Sequence, residues 1–237
     1  YYAGSVVQSD FAIAIGGNSA KENQGTSSVA IGASSAQFNQ GSSSVAIGTS
    51  SGENFQQDYS VAVGYQAGFN AQGSSSIGIG SLAGFETQGD TSIAVGNNAG
   101  TLFQGSDSVA IGGFAGYCGQ GQYGISMGFE AGYSFQGTKS VAIGTDAGYA
   151  NQGVDCVAVG DLAGYCGQGA YGVAIGFNAG SFNQNTASIA IGESCGYCGQ
   201  GSFSVAVGYQ SGYTMQGNNS IAIGLSLIHI SEPTRLL

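Results

Sequence analysis

Thirteen acidic residues, five cysteines and a single histidine are the side chains of this 237-residue chain that could carry catalysis or hold a metal. Nucleophilic catalysis of the Ser-His-Asp or Cys-His kind needs a base beside the nucleophile. The only histidine, His229, stands in a segment unlike the rest of the chain, and nothing else offers a substitute. A metal site needs ligands that converge. Here Asp58 and Asp90 share one phase of the pattern described below, whereas Glu130, Asp146 and Asp161 fall elsewhere. The G-G-x-G-x-D signature of calcium-binding β-rolls is missing. These residue types predict no enzyme, no metal site and no cofactor.

The cysteines point the same way. Cys118, Cys166 and Cys198 each occur in a G-Y-C-G-Q-G copy, three and two units of the sequence pattern apart. In a regular stack that is about 14 and about 10 Å, beyond the roughly 7 Å that a disulfide spans. Cys195 and Cys198 could pair across a bend, and Cys156 stands alone at another phase. The odd count leaves a bridge between molecules open.

The element that positions all these residues is a repeat. Glycine recurs every sixteen residues from Gly16 to Gly224 without a slip. Glutamine keeps the same rhythm: Gln8, Gln24, Gln40, Gln56, Gln72, Gln88, Gln104, Gln120, Gln136, Gln152, Gln168, Gln184, Gln200 and Gln216. A typical unit reads S-V-A-I-G-x-x-A-G-Y-x-x-Q-G-x-x. Period-two β-branched residues bounded by Ser and Gly, as in Val45-Ala46-Ile47, read as a strand. Sixteen residues hold two short strands and two turns but no packed helix. The second strand is expected through the A-G-aromatic segment, as in Ala131-Gly132-Tyr133. The predicted fold is all-β: a parallel β-solenoid or β-roll of 14 coils, two short strands per coil, spaced about 4.8 Å and on the order of 65 Å long.

Alternation then divides the side chains. The expectation is that Val45, Ile47, Val141, Ile143, Ile189 and Ile191 fill the coil. Ala46, Ala62, Ala94, Ala110, Ala142 and Ala158 would face outward as a seam between identical chains, with Gly78 and Ser126 at the same phase. The glutamines would stack as an amide ladder. Tyr117, Tyr133, Tyr149, Tyr165, Tyr197 and Tyr213, in phase with Phe69 and Phe85, would form a ring column and, where exposed, an adhesive strip.

Composition limits the partners. The net charge of −10, with three basic residues, cannot displace phosphate counterions and would be repelled by anionic membranes. No apolar run reaches the roughly 18–20 residues of a membrane span. The array is expected to cover residues 1–224 and to be open at both ends, since Ala3, Gly4 and Gln8 are already in phase. Residues 225–237 break the pattern and hold the only Pro, His and Arg. This tail reads as the translation of a transposase-type sequencing adapter rather than as a cap.

The S-V-A-I-G units, as in Ser44–Gly48 and Ser140–Gly144, resemble head repeats of trimeric autotransporter adhesins. The resemblance covers roughly residues 1–224. It departs in period, family repeats being about fourteen residues long, and in the A-G-x-x-x-Q-G half. It implies a left-handed parallel β-roll, a homotrimer and an extracellular surface segment that binds host matrix or another surface by multivalent contact along a rod. A viral or phage fibre, or a structural filament spacer, is the alternative. Ice binding is weaker because no Thr-x-Thr column exists.

Overall fold

The computed structural model describes residues 2–225. Contacts group the chain into two units, Tyr1–Glu130 and Ala131–Leu237. Both are built alike. Apart from Leu225, the anomalous tail lies outside the described residues.

The fold is all-β, a parallel β-solenoid. Every strand has three residues, and no helix occurs among the described residues. In the first unit eight V-A-I-type strands run from Ile13–Ile15 to Ile125–Met127; in the second, six run from Val141–Ile143 to Ile221–Ile223. Together they make about fourteen turns. Within each unit, each strand pairs with the next in parallel at a register of one repeat, as in Val45↔Val61, Ala46↔Ala62 and Ile47↔Val63.

The second strand lies later than expected. It follows the ring rather than containing it, at Ser134–Gln136, which pairs with Ala150–Gln152. The reason is local. Its middle residue is left-handed (Phe135, φ 54°), so only the flanking residues Ser134↔Ala150 and Gln136↔Gln152 pair. Further along, this strand shrinks to the single bridges Cys166↔Phe182, Phe182↔Cys198 and Cys198↔Thr214.

Left-handed backbone is what makes so short a coil close. In the coil from Val45 to Ser60, Ser50, Phe55 and Tyr59 have φ of 54°, 55° and 59°. Non-glycine residues rarely adopt this region. Ordering along the axis compensates: Ser50 N–H donates to Ala33 O (2.9 Å), and Tyr59 N–H to Ser42 O (3.0 Å), both in the preceding coil. Their neighbours Gly52 and Asn54 donate to Ala67 O and Phe69 O of the following coil at 2.8 and 2.9 Å. Corner backbone thus joins the ladder alongside the strands, and few main-chain groups are left to water. The sixteen-residue glycine column marks the closest approach. At Gly48 (φ 127°) an added Cβ would lie 2.5 Å from the Gly64 carbonyl oxygen.

The interior inverts the expected assignment. Ala46, Ala62, Ala94, Ala110, Ala142 and Ala158 are fully buried, whereas Ile47, Ile143 and Ile191 are 37–38% exposed. Val45, Val141 and Ile189 are half-buried. Alternation holds, but alanine points in and the β-branched residues point out. Space decides this. A Cβ built on Gly148 would sit 3.2 Å from the Ala142 Cβ, so the A-G corner already touches the strand. Only Ala, Ser, Cys or Gly fits between them. The alanines therefore pack inside their own coil and form no seam between chains.

The one long side chain inside each coil is glutamine. From Gln24 to Gln216 the column is 0–3% exposed at every glutamine among the buried polar residues. Gln56 Nε2 donates across the coil to Val45 O (2.9 Å) and to Gln72 Oε1 of the next coil (3.1 Å). The ladder continues through Gln40–Gln56, Gln72–Gln88, Gln152–Gln168, Gln168–Gln184 and Gln184–Gln200 at 3.0–3.2 Å. Gln24, Gln104, Gln120 and Gln216 make the cross-coil bond at 2.8 Å, with Oε1 unpartnered. Gln88 and Gln200 bond Ile77 O and Ile189 O in the same way, and Gln136 reaches Ser140 O at 3.2 Å.

Two substitutions probe this interior. Ala142→Leu overfills the coil and is expected to destabilise by ~1–3 kcal/mol. Gln168→Ala removes the partners of Val157 O and Gln152 Nε2, at ~1–3 kcal/mol for each buried group left unpaired. Urea unfolding checks both, and parental stability in either variant contradicts the packing described.

Candidate interaction surface

With small residues inside, the large apolar side chains lie outside. Val45 and Ile47, Val61 and Val63, and their equivalents form two columns of β-branched residues along the outer face of the strand sheet. Nothing else among the described residues covers this face: Ile79, Ile111, Met127, Ile143, Ile175 and Ile191 all remain 36–40% exposed.

The expected ring column exists. Phe69 stacks on Phe85 at 5.0 Å in the first unit. In the second, Tyr133, Tyr149 and Tyr165 stack at 4.9 and 5.0 Å, and Tyr197 on Tyr213 at 5.0 Å. Interplanar angles of 3–16° mark a continuous stack in each run. Ser181 interrupts it, and Phe182 inserts edge-on against Tyr165 (5.7 Å) and Tyr197 (5.4 Å). Tyr117 tilts against Phe114 at 5.8 Å. Most of these rings are half-buried, so the column is held by its own stacking and shows water mainly its edges.

Other rings are more exposed, among them Phe11, Phe55, Phe103 and Phe135 at 60–87%, and sequence reasoning missed a further set. Tyr59, Tyr123, Tyr171 and Phe203 lie two residues before a V-A-I-type strand; Tyr65, Phe129, Phe177 and Tyr209 lie two residues after the same strands. All eight are 44–66% exposed. The signal was present as aromatics six residues apart, in Y-S-V-A-V-G-Y, Y-G-I-S-M-G-F, Y-G-V-A-I-G-F and F-S-V-A-V-G-Y. Reading one phase at a time hides it.

The cysteines are all free among the described residues. Cys118, Cys166 and Cys198 are half-buried, while Cys156 and Cys195 are buried where other coils carry mostly Ser or Ala. Cys156 Sγ donates to Gly169 O at 3.0 Å, as Ser140 Oγ does to Gly153 O at 2.6 Å. Cys195 Sγ lies against Ile191 O (3.1 Å) and Gly208 O. Burial pushes both thiols above their ordinary value, partly offset by backbone hydrogen bonds. They act as neutral donors. No group of three or more His, Cys, Asp or Glu side chains converges as a metal site among the described residues.

Residues 88–115 match the model of the YadA head domain repeat, in two copies. This matches the resemblance drawn from the S-V-A-I-G units and points to an adhesin-type segment. No curated protein matches the chain. No helix among the described residues is long and apolar enough to cross a membrane.

A thiol reagent should separate the two cysteine classes. In the native protein Cys118, Cys166 and Cys198 are expected to react first, and Cys156 and Cys195 only as the coils open. Because their folded pKa is raised, the unfolded chain ionises first as pH rises. Their contribution is present below the unfolded value and lost as pH climbs towards the folded one. Cys156→Ser combined with Cys195→Ala should flatten the loss of stability on the alkaline side, seen in melting curves across pH. An unchanged slope contradicts the assignment.

Proposed function

We propose that this chain is a head or stalk segment of an extracellular adhesin, displayed at a cell surface and acting as a homotrimer. The observation that carries the reading is the uncovered Val/Ile face on a coil whose residues 88–115 match a YadA head repeat. An apolar sheet face of this extent is costly in water and suits cover by an identical surface. The number three follows from the trimeric adhesins that the matched repeats resemble. Association would leave the ring column and the corner residues outward, repeated along each unit. Such repetition favours multivalent attachment to host matrix or another surface, where many weak contacts add. The same reading assigns the protein no catalytic step.

Sedimentation velocity tests the seam. The parent is expected to run as a trimer. A variant carrying Ile79→Asp, Ile143→Asp and Ile175→Asp should become monomeric while keeping its β-sheet circular dichroism, because these side chains point out of the coil. A variant that stays trimeric rules out this face. For attachment, retention on immobilised matrix proteins should fall by about 10²–10⁴-fold on passing from trimer to monomer. Equal retention by the two forms contradicts multivalency.

A further inference from the structure

The corner rings of the second unit form two short rails. Tyr171 and Phe203 precede the strands Val173–Ile175 and Val205–Val207 by two residues; Phe177 and Tyr209 follow the same strands by two. In each rail one coil, that of Ala187 and Glu193, separates the rings. Backbone bonds hold the corners in register from coil to coil. On one side Ala187 N–H donates to Ala170 O (2.8 Å) and Phe203 N–H to Thr186 O (3.0 Å). On the other, Ser194 N–H donates to Phe177 O (2.8 Å) and Gln210 N–H to Glu193 O (2.9 Å). Ring therefore follows ring at two coils, about 9.6 Å along the axis.

The coil does not need rings at these corners. Tyr171 and Phe203 are 59% and 64% exposed. Their φ values of 61° and 56° lie in a region that bulky residues seldom adopt. Elsewhere in the unit the same corner carries Lys139, Ala187 or Asn219, and the corner of Phe177 carries Asp161. Between Tyr171 and Phe203 stand the small Ala187 and the exposed Thr186; between Phe177 and Tyr209 stands the exposed carboxylate of Glu193.

Ring, polar group, ring at this interval suits a sugar chain. In an extended β-linked polysaccharide each sugar is turned over relative to the last, so every second sugar offers the same face to a surface beside it. Two coils match the length of two sugars. The C–H-rich faces cover aromatic rings, and the hydroxyls bond the polar groups between them. A polyproline II segment has a similar pitch, about 9.3 Å per turn, but its prolines have no N–H to donate to Glu193 or Thr186. Charge narrows the choice further. Asp146, Asp155, Asp161 and Glu193 stand against the single Lys139 among the described residues of the unit, which disfavours an anionic glycan.

We infer that the rails Tyr171–Phe203 and Phe177–Tyr209 each bind a neutral, extended β-linked polysaccharide of the cellulose or chitin kind, lying along the coil axis. This ligand class rests on the surface attachment proposed above and specifies what is attached to. Each rail belongs to one chain and lies at corners that the proposed association leaves outward. The first unit has no ring pair at a two-repeat interval in these phases: Phe11 and Tyr59 are three repeats apart, Tyr59 and Tyr123 four, and Tyr1, Tyr65 and Phe129 four.

Titration calorimetry of the full chain with cellohexaose and chitohexaose tests the assignment, with maltohexaose, whose α-linked chain coils, and a polyproline peptide as comparisons. Binding of at least one β-linked oligomer, and of neither comparison, is expected. One ring of each rail is then moved by one coil without changing composition: Phe203→Asn with Asn219→Phe, and Phe177→Asp with Asp161→Phe. The rings now stand three coils apart, and affinity should fall about tenfold or more. Parental affinity in this variant overturns the inference, as does a parent that binds neither β-linked oligomer or binds polyproline as tightly. A variant that sediments differently from the parent assigns the rings to the seam and overturns it too. Should the variant lose its β-sheet signal, replacing all four rings by Ser, which Ser75 and Ser81 show the two corners accept, supplies the same reading. Retention on immobilised matrix proteins separates the two proposals. A chain retained there that ignores both β-linked oligomers loses this ligand class and keeps the attachment reading; a chain that binds neither loses both.

Discussion

Gln168 Nε2 donates to Val157 O across its coil at 3.0 Å and to Gln184 Oε1 along the axis at 3.1 Å, while its own Oε1 accepts from Gln152 at 3.0 Å. One buried amide thus bonds the strand opposite and the coils before and after. The glutamine column is buried from bulk solvent, and an unmatched partner on either side would leave a buried donor or acceptor. The strict sixteen-residue spacing follows. A coil one residue longer would carry its amide out of reach of both neighbours, and the glycine column leaves no Cβ-sized slack for adjustment, since at Gly144 an added Cβ would meet the Gly160 carbonyl oxygen at 2.6 Å.

From that interior the exterior follows. Alanine, serine and an amide take the available volume, so the strand must turn its Val and Ile outward. Most proteins use such residues to drive collapse of the chain on itself. Here hydrogen bonds and small-residue contacts organise the coil, and the larger apolar area remains for contact between molecules. Cys156 and Cys195 fit the same logic. Each takes a Ser or Ala phase, keeps its proton and donates to a carbonyl, so the thiol acts as a bulkier hydroxyl rather than as a redox group.

The period, the place of the V-A-I strand and the glutamine column were legible because each is a repeated spacing. Which side of the strand is inside was not. Alternation of Val45, Ala46 and Ile47 defines two faces and is silent on their sense, and the preference for burying the larger face is a habit of wide cores. The deciding quantity is the gap between Ala142 and Gly148, a property of the closed coil. The second strand was misplaced by three residues for a related reason. Phe135 is left-handed at the centre of its strand, and a bulky residue there gives no hint of positive φ. The stacked tyrosines were visible as a column, but Phe182 filling the gap at Ser181 was not, since it comes from the adjacent phase.

The demands on the two sides of the backbone are opposed. Positions that face the interior, such as Ala142, Gly144, Ala147, Gln152 and Cys156, must serve every coil alike, and their residue types vary little. A surface built from them alone would be identical at each step and could not distinguish one coil from another. Individuality can be written only where the side chain leaves the stack. The phases of Thr145 and Lys139 are such places, and across the coils they carry Tyr, Phe, Asp, Glu, Lys, Asn, Ser and Thr. Both lie beside the strand whose outward face is uncovered. The residues free to differ are thus the ones that border the uncovered face, where rings can be set at intervals of whole coils without disturbing the packing inside.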